Sequence, residues 1–374
     1  MSTERVLMVL GPSTGGIRRH VAALAAGLRA RGWGVVVAGP DGVLDGLEPA
    51  DAPAVERLDV PAGLDPRALV RARRQLAALV AVHQPSLVHA HGLKAGWVAA
   101  RVRPGQPGPP PVVVTVHNLV LPELTPGPGG RVLRVLEGAL PRRVDATIAV
   151  SPGIAARFAG RGAGRLHVVA PVGPEPVPTR APVEVRAAWG VAPDAPLVVS
   201  VARLHPQKGL DTLLAAVPAL AARVPAVQVV VVGEGPLEAE LRATVAGRAL
   251  GGQVRLVGPM AVGADALGAA DVVAVTSVWE SGPLVAAEAL ELARPLVSTP
   301  VGFVPDLVED ATSGRLVPVG DAEALAAALA DVLADPAGAA ALGRAGQARV
   351  RATLGSAVLV DRVEAVYRGM LSVS

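Results

Sequence analysis

The feature that most constrains the fold is an alternation of short, valine-rich runs with longer amphipathic segments. In the first half of the chain, the runs at 5–10, 34–39, 87–91, 112–117 and 146–151 alternate with helical patterns such as 16–32 and 65–84. Continuous apolar runs are typical of strands that are buried on both faces, and intervening helices favour parallel pairing. The pattern therefore predicts an α/β fold with a doubly wound parallel sheet.

A proline-rich segment divides this alternation into two series. Residues 170–182 read "APVGPEPVPTRAP" and contain five prolines, a composition that suits neither a helix nor a central strand. Strand-like runs then resume at 197–204, 227–233, 253–258, 271–277 and 295–300. We predict two Rossmann-like domains that face each other across a cleft, residues 1–172 and 173–355, with a C-terminal helix (356–374) that packs back on the first.

Charge and composition exclude several classes of protein. The pI is about 10.1, but the net charge is only +3, which gives little reason to expect a nucleic-acid partner. Residues 1–172 have a net charge of +9, whereas residues 173–374 have −6. The absence of cysteine excludes disulfides, thiolate metal sites and a cysteine nucleophile, and it fits a cytoplasmic protein. We expect no signal peptide, because the first residues resemble a strand, and no membrane-spanning run.

Two cations follow the first predicted strand of the second domain. In "SVARLHPQKG", Arg203 comes at the end of the strand and Lys208 comes just before a predicted helix. Cations beside a helix N-terminus form an anion site, and a diphosphate would suit it. The alternative is that both are ordinary surface cations.

Two carboxylates follow a later strand of the same domain. In "WESGPLVAAEAL" (279–290), Glu280 is predicted in a loop and Glu288 about two turns into the following helix. A carboxylate can accept two hydrogen bonds from neighbouring sugar hydroxyls. The alternative interpretation is an acidic residue favoured by the helix dipole together with a solvated glutamate.

The first domain offers glycines and histidines at the predicted strand ends. Gly15 and Gly16 lie between the first strand and the first helix, without the G-x-G-x-x-G or Walker A spacing. His89, His91 and His117 fall at strand ends, although a structural role is the alternative for each. No metal-binding histidine pattern and no D-x-D motif occur, so no metal site is predicted.

In this order, the motifs resemble those of the family 4 retaining glycosyltransferases of the GT-B fold, also known as group 1 glycosyl transferases. The matching pieces cover nearly the whole chain; they include "GGIRRHVAALAAGLRARGWGV", "LVHAHGLKAG", "VVVTVHN", "SVARLHPQKGLDTLL", "VVVGEGPLEAELR", "VRLVGPM" and "WESGPLVAAEALELARPLVSTPVGFVPDLVEDATSGRLVPVGDAEALAAAL". The resemblance implies a hexosyltransferase that uses a nucleotide-sugar donor, retains anomeric configuration and needs no metal or other cofactor.

The resemblance also implies roles for individual residues. Arg203 and Lys208 would bind the donor diphosphate, Glu280 the sugar and Glu288 the ribose. His117 would lie by the sugar, and Gly15 and Gly16 by the diphosphate. The remaining implied donor contacts are Val257, Gly258, Met260, Gly282, Leu284 and Val285. Candidates on the acceptor side are His20, His91 and Lys94.

Two departures from the family pattern affect these roles. The linker reads "PVGPE" (171–175), where the family often has P-N-G-[VI]-D. The loop that holds the acidic pair reads "ESGPLV" instead of E-G-F-G-L, and Pro283 removes one N–H donor.

The acceptor class stays open among lipid-linked, polysaccharide and small-molecule acceptors. Cations cluster with leucine and valine in 67–80 and 131–143, a pattern typical of helices that lie on anionic membranes. Reversible association with the inner leaflet is therefore a hypothesis, with a solvated helix face as the alternative.

Rival functions also remain. An NAD(P)-linked oxidoreductase lacks its dinucleotide fingerprint, a sugar-nucleotide 2-epimerase matches these motifs less well, and a sugar-nucleotide-binding module without activity is the non-enzyme alternative. We favour a UDP-sugar donor, with a GDP-sugar as the other option.

Overall fold

The structure is a computed structural model that describes residues 4–12, 16–42, 54–63, 65–100, 109–120, 122, 125, 127–160, 165–171 and 175–372. The chain forms two compact units. Unit 1 comprises Met1–Pro174 with Ser356–Ser374, and unit 2 comprises Glu175–Gly355. The break between the units thus falls two residues after the predicted one.

Unit 1 contains a parallel sheet. Its described residues form the strands β1 (Arg5–Leu10), β2 (Gly34–Gly39), β3 (Ala54–Arg57), β4 (Leu87–His91), β5 (Val112–Val116), β6 (Ala146–Ala149) and β7 (Leu166–Val168). The helices are α1 (Gly16–Ala30), α2 (Pro66–His83), α3 (Leu93–Ala99), α4 (Gly127–Ala139) and α5 (Pro152–Phe158), with a 3-10 turn at Leu140–Arg143. The strand order is β3-β2-β1-β4-β5-β6-β7.

Helices cover both faces of this sheet. Alternate residues of β1 belong to different cores: Leu7 and Val9 pack with Leu76 of α2, whereas Met8 packs with Leu24 of α1. All of these side chains are fully buried. A strand buried on both faces has no solvated side, which explains why its sequence is continuously apolar.

Unit 2 repeats this architecture. Its strands are β8 (Leu197–Val201), β9 (Gln228–Val232), β10 (Val254–Leu256), β11 (Val272–Val275), β12 (Leu296–Ser298) and β13 (Arg315–Leu316). Its helices are α6 (Pro182–Ala188), a 3-10 turn at Pro206–Lys208, α7 (Leu210–Arg223), α8 (Glu238–Gly247), α9 (Gly263–Ala269), α10 (Leu284–Glu291), α11 (Val304–Leu307), α12 (Ala322–Ala334) and α13 (Pro336–Leu354). The parallel strands follow the order β10-β9-β8-β11-β12-β13. The final helix, α14 (Ser356–Leu371), belongs to unit 1.

The strand order reverses at one place in each sheet. In unit 1 the reversal lies between β1 and β4, and in unit 2 it lies between β8 and β11. Connections leave these neighbouring strands toward opposite faces, so a crevice opens at their carboxyl ends, where α/β sheets bind ligands. The predicted pair of doubly wound parallel sheets is confirmed.

Three strands, β3, β7 and β13, were not predicted from the sequence. They have two to four residues and lie at or near sheet edges. Short edge strands carry polar side chains, such as half-buried Glu56 and exposed Arg57 of β3, and so lack a strong apolar run. Within the described part of the chain, no single helix is long and apolar enough to cross a membrane; one bent pair, Ala322–Ala334 with Pro336–Leu371, meets those criteria only when its two parts are combined.

Helix α14 packs against α1 and completes the core of unit 1. Val360 lies so close to Gly27 of α1 that a Cβ at that glycine would come 2.3 Å from a Val360 methyl carbon. One turn further along the same face, the Glu364 carboxylate accepts hydrogen bonds from Trp33 Nε1 at 3.0 Å and Arg31 Nη1 at 2.9 Å. These contacts attach the last helix to the first helix and the turn that follows it.

The Glu364 carboxylate makes the stability of the protein depend on pH. Hydrogen bonds from Arg31 and Trp33 lower the pKa of Glu364 from 4.5 to about 2. Because the folded-state pKa is the lower one, the stabilisation is complete above the unfolded-state pKa and is lost as pH falls toward the folded-state value. After allowing for solvent screening, we expect the free energy of unfolding of the wild type to fall by about 2 kcal/mol between these two pH values. The Glu364→Gln variant should not show this decrease. Urea denaturation of the wild type and of Glu364→Gln across this pH range tests the expectation. Stabilities that change with pH in the same way in both proteins would contradict it.

Candidate active site

The candidate site of unit 2 lies at the point where its strand order reverses. The segment after β8 contains Arg203 and the 3-10 turn, and the segment after β11 contains Glu280. The two segments are joined by hydrogen bonds: Val278 N donates to Gln207 O at 2.8 Å, and Gln207 Nε2 donates to Trp279 O at 2.9 Å. Residues that lie far apart in the sequence thus share one rigid edge of the sheet.

An ion pair between Lys208 and Glu280 lies at the centre of this edge. Lys208 Nζ donates to Glu280 Oε1, and the same oxygen accepts a hydrogen bond from Ser277 Oγ at 2.7 Å. Glu280 is 7% exposed, and the Lys208 side chain is 22% exposed. A carboxylate that is this deeply buried requires a cationic or hydrogen-bonding partner, and here it has both.

Positive charge extends from the ion pair toward solvent. Arg203 is exposed and forms no ion pair with the residues that the structure describes. Burial, together with the nearby charges of Arg203 and Lys208, lowers the pKa of His205. The His205 ring accepts a hydrogen bond from Gln207 N at 3.3 Å, which starts the 3-10 turn before Lys208. The segment therefore presents two cations and one neutral imidazole.

Gly209 allows the two segments to approach each other closely. Its φ is +58°, and a Cβ at this position would lie 2.1 Å from Thr276 O. On the same contact, Thr276 Oγ1 donates to Lys208 O at 2.9 Å. A side chain at position 209 would therefore separate the backbone that carries Lys208 from the backbone that leads to Glu280.

We expect Gly209→Ala to destabilise the protein by about 2–4 kcal/mol, because it adds a steric clash to an unfavourable positive φ. Thermal and urea unfolding would measure the loss. Gly247→Ala is the matched control: Gly247 ends α8, and a Cβ there would meet no atom within 4 Å, so that variant should be neutral or slightly stabilised. Equal effects of the two substitutions would contradict this account.

The remaining predicted donor contacts of unit 2 lie near the ends of β10 and β11. Helix α10 begins at Leu284 after Pro283, with no side-chain hydrogen bond capping it. Glu288 is half-buried one turn into this helix and not two as predicted, because the helix begins only after Pro283. Gly282 is half-buried in the preceding segment, as is Val285 in the first turn of the helix.

The segment after β10 is held to its neighbouring strand by backbone hydrogen bonds. Val257 N donates to Val231 O at 3.1 Å, and Gly258 O accepts from Gly233 N at 2.8 Å. Met260 follows as a half-buried residue. Backbone groups here are fixed by β9, which suits the predicted recognition of a base through the main chain.

Three histidines of unit 1 form a buried cluster at the carboxyl ends of its strands. His91 ends β4, His117 follows β5, and His20 comes from α1. His91 Nδ1 lies 3.2 Å from His117 Nε2, and one ring nitrogen from each of the three lies within 4.8 Å of the others. Their exposed fractions are only 3–5%. Burial lowers the pKa of His91 and of His117 well below the usual value, so both rings are neutral at neutral pH.

The other candidate residues of unit 1 have different surroundings. His89 hydrogen-bonds Tyr367 Oη at 2.6 Å and Thr115 Oγ1 at 2.7 Å, which is a structural role. Lys94 Nζ donates to Ala62 O, and burial lowers the pKa of Lys94. Gly16 is the first residue of α1. Gly15 lies outside the described residues.

The structure adds three residues to the site that the sequence analysis did not single out. Ser277 contacts the carboxylate of Glu280, while Thr276 and Gln207 tie the two segments together. Only their position in the sequence could have indicated these residues: Thr276 and Ser277 follow a buried strand, and Gln207 precedes a predicted helix. The histidine cluster was also missed, since its members lie far apart in the sequence and no metal-binding spacing marks them.

The chain matches two family models. The description "Glycosyl transferase 4-like domain" fits residues 15–173, and "Glycosyl transferases group 1" fits residues 184–349. A phosphatidyl-myo-inositol mannosyltransferase of Mycolicibacterium smegmatis is 30% identical over 339 residues, which are 86% of this chain and 82% of that relative. A D-inositol 3-phosphate glycosyltransferase of Segniliparus rotundus is 38% identical over 169 residues, 44% of this chain and 38% of that relative.

Solved structures have the same fold. The sucrose-phosphate synthase of Thermosynechococcus elongatus superimposes with a TM-score of 0.82 at 26% identity, covering 99% of this chain and 100% of that one. HepE of Anabaena, solved with UDP and glucose, gives a TM-score of 0.81 at 22% identity over 98% of this chain and 100% of its own. Together with the family models and the mannosyltransferase relative, these similarities show that the chain is a glycosyltransferase of the GT-B fold and belongs to the family 4, group 1 glycosyl transferases.

Proposed function

We propose that this glycosyltransferase moves a hexosyl unit from a nucleoside diphosphate sugar to an acceptor hydroxyl with retention of anomeric configuration and without a metal ion. The observation that carries the proposal is the buried Lys208–Glu280 pair beside exposed Arg203, at the edge where the strand order of unit 2 reverses. This arrangement combines a cationic surface for a diphosphate with a carboxylate for sugar hydroxyls.

In the proposed reaction, the bond between the sugar C1 and the diphosphate oxygen breaks as a bond to the acceptor oxygen forms on the same face. The acceptor proton passes to an oxygen of the leaving diphosphate. Arg203 and Lys208 stabilise the negative charge that develops there, which is the task a metal ion performs in other transferases. Glu280 accepts hydrogen bonds from the sugar hydroxyls and holds the ring in place.

The other assignments complete the donor contacts. Glu288 binds the ribose, and the backbone of Val257 and Gly258 contacts the base. In unit 1, the proposal assigns His117 to the sugar and Gly16 to the diphosphate. The neutral state of the His117 ring supports its assignment, because burial lowers its pKa and a neutral imidazole can both donate and accept a hydrogen bond with a hydroxyl.

A donor screen tests the proposal. Thermal shift with UDP, GDP and their sugars, followed by turnover assays, identifies the nucleotide, and NMR of the product reports its anomeric configuration. We expect UDP-sugars to bind, retention, and unchanged activity in EDTA. GDP-mannose is the second candidate, because a relative 35% identical over 165 residues is named a GDP-mannose-dependent mannosyltransferase. Inversion, or loss of activity with EDTA that Mg²⁺ restores, would overturn the mechanism.

We further propose a lipid-linked acceptor and reversible binding to an anionic membrane. The named specificity of the phosphatidyl-myo-inositol mannosyltransferase relative supports this, as does the surface of unit 1. Helix α4 exposes Val132 (48%) and Val135 (71%). Val135 lines a surface cavity of about 560 Å³ together with Arg131, Arg142 and Arg157. Apolar side chains beside cations are suited to the interface of an anionic bilayer.

Sedimentation with vesicles tests the membrane proposal. We expect the wild type to bind vesicles that contain acidic phospholipid. This binding should be weaker at high salt, and the Val135→Asp variant should bind more weakly than the wild type. Neutral vesicles serve as one control, and Val183→Asp, which places the same change on an exposed valine of unit 2, serves as the other. Failure to bind acidic vesicles at low salt would reject membrane association without affecting the donor site.

A further inference from the structure

Three histidines of unit 1 form a buried cluster, of which the proposed donor contacts use only His117. We propose that His20, His91 and His117 together bind one transition-metal ion of the Zn²⁺ class. The ion would have three imidazole ligands and one position left open to water or an anion.

The spacing of the ring nitrogens fits such an ion. Zn–N bonds of about 2.0–2.1 Å in a tetrahedral site place neighbouring ligand nitrogens about 3.3 Å apart. His91 Nδ1 and His117 Nε2 are 3.2 Å apart, and one ring nitrogen from each of the three histidines lies within 4.8 Å of the other two. Binding of one ion by all three rings requires the His20 ring to move toward the other two.

The surroundings of the cluster favour metal binding over protonation. All three side chains are at least 95% buried, and neutral imidazole is the form that binds metals. His91 Nε2 is buried and has no hydrogen-bond partner among the described residues. In the contact between His91 Nδ1 and His117 Nε2 one nitrogen carries the proton, and both lone pairs face the ion once that proton moves to the other nitrogen of its ring.

The rings are also held in position by the sheet. His91 is the last residue of β4, which pairs with β1 and β5, and His117 directly follows β5. His20 lies in the first half of α1, and its ring centroid is 5.2 Å from that of His117. Ligands on two adjacent strands and one helix are preorganised, so little ordering is needed when an ion binds.

This site would control the enzyme instead of serving its chemistry. His117 is the residue assigned to the donor sugar, so an ion held by its ring competes with the donor, and Zn²⁺ inhibits turnover. The inhibition rests on the proposed function, whereas the binding of the ion does not. Binding is therefore measured without donor, so that failure of one proposal is distinguishable from failure of the other.

The test uses the full-length protein after treatment with a chelator. Titration with Co²⁺ is monitored by the ligand-field absorption of the bound ion, and titration with Zn²⁺ is monitored by calorimetry. We expect one ion per chain. His20→Gln and His91→Gln should each weaken binding by at least about 100-fold, since each removes one of three protein ligands. His83→Gln is the matched control: this histidine of the same unit pairs with Glu56 and lies outside the cluster, so its variant should bind as wild type does.

The outcomes separate the alternatives even when a variant fails to fold. Thermal melting identifies such a variant, and X-ray absorption of the Zn²⁺-loaded wild type counts its histidine ligands independently. Three imidazole nitrogens on the ion would support the proposal. No binding by the wild type, fewer than three imidazole ligands, or equal binding by folded His20→Gln and wild type would overturn it and leave the cluster as a hydrogen-bonded group of neutral rings.

Discussion

Lys208→Ala is expected to lower turnover by about 10²–10³-fold, the usual cost of removing one group that stabilises charge in a transition state. The substitution removes one of the two cations assigned to the leaving diphosphate and leaves Glu280 without its ion-pair partner. Glu280 keeps the hydrogen bond from Ser277 Oγ at 2.7 Å, so we expect the protein to remain folded. Steady-state kinetics and a thermal melt of the same preparation measure both effects.

Three variants locate the origin of this loss. Arg223→Ala removes an exposed cation from the end of α7 in the same unit and should leave turnover unchanged. Lys208→Arg keeps the charge but replaces a compact ammonium with a planar fork, so full activity would show that charge alone suffices. The double variant Lys208→Ala/Glu280→Gln measures the coupling of the pair, which we expect to be non-additive. Near-wild-type turnover of Lys208→Ala would refute the proposed mechanism.

Tyr367→Ala should destabilise unit 1 by about 3–5 kcal/mol, because it opens a cavity where a large aromatic side chain is fully buried. Tyr367 lies in α14, and its ring packs edge-on against Trp33 with the centroids 5.4 Å apart. Its hydroxyl bonds His89 Nδ1 at 2.6 Å, and burial lowers the pKa of His89 to about 3. Losing that partner leaves a buried polar nitrogen unsatisfied.

Two further substitutions divide this effect into its parts. Tyr367→Phe keeps the ring and removes only the hydroxyl, so it should cost about 1–3 kcal/mol. Arg362→Ala changes an exposed residue of the same helix and should be nearly neutral. Urea unfolding of the three variants measures the series. If Tyr367→Ala were as stable as Arg362→Ala, helix α14 would not be part of the unit 1 core.

Much of the fold followed from periodicity alone. The strands β2 and β4 begin and end where the predicted runs at 34–39 and 87–91 do, because both strands are almost wholly buried and their sequences carry no charged residue. The short edge strand β13 has only Arg315 and Leu316, and two residues are too few to show the hydrophobic alternation of a strand. Its pairing depends on β12, which lies next to it only after the domain folds.

The sequence by itself determined the two-sheet architecture, the family and the placement of Arg203, Lys208, Glu280 and His117 at strand ends. Each of these depends on local order: apolar period, motif spacing and proximity to a strand terminus. The contacts between those residues were decided by the tertiary structure. The Lys208–Glu280 pair joins positions 72 residues apart, and the His20–His91–His117 cluster joins three separate elements of unit 1. Only the parallel strand order brings such positions together, because it places carboxyl ends from distant parts of the chain at one edge of a sheet.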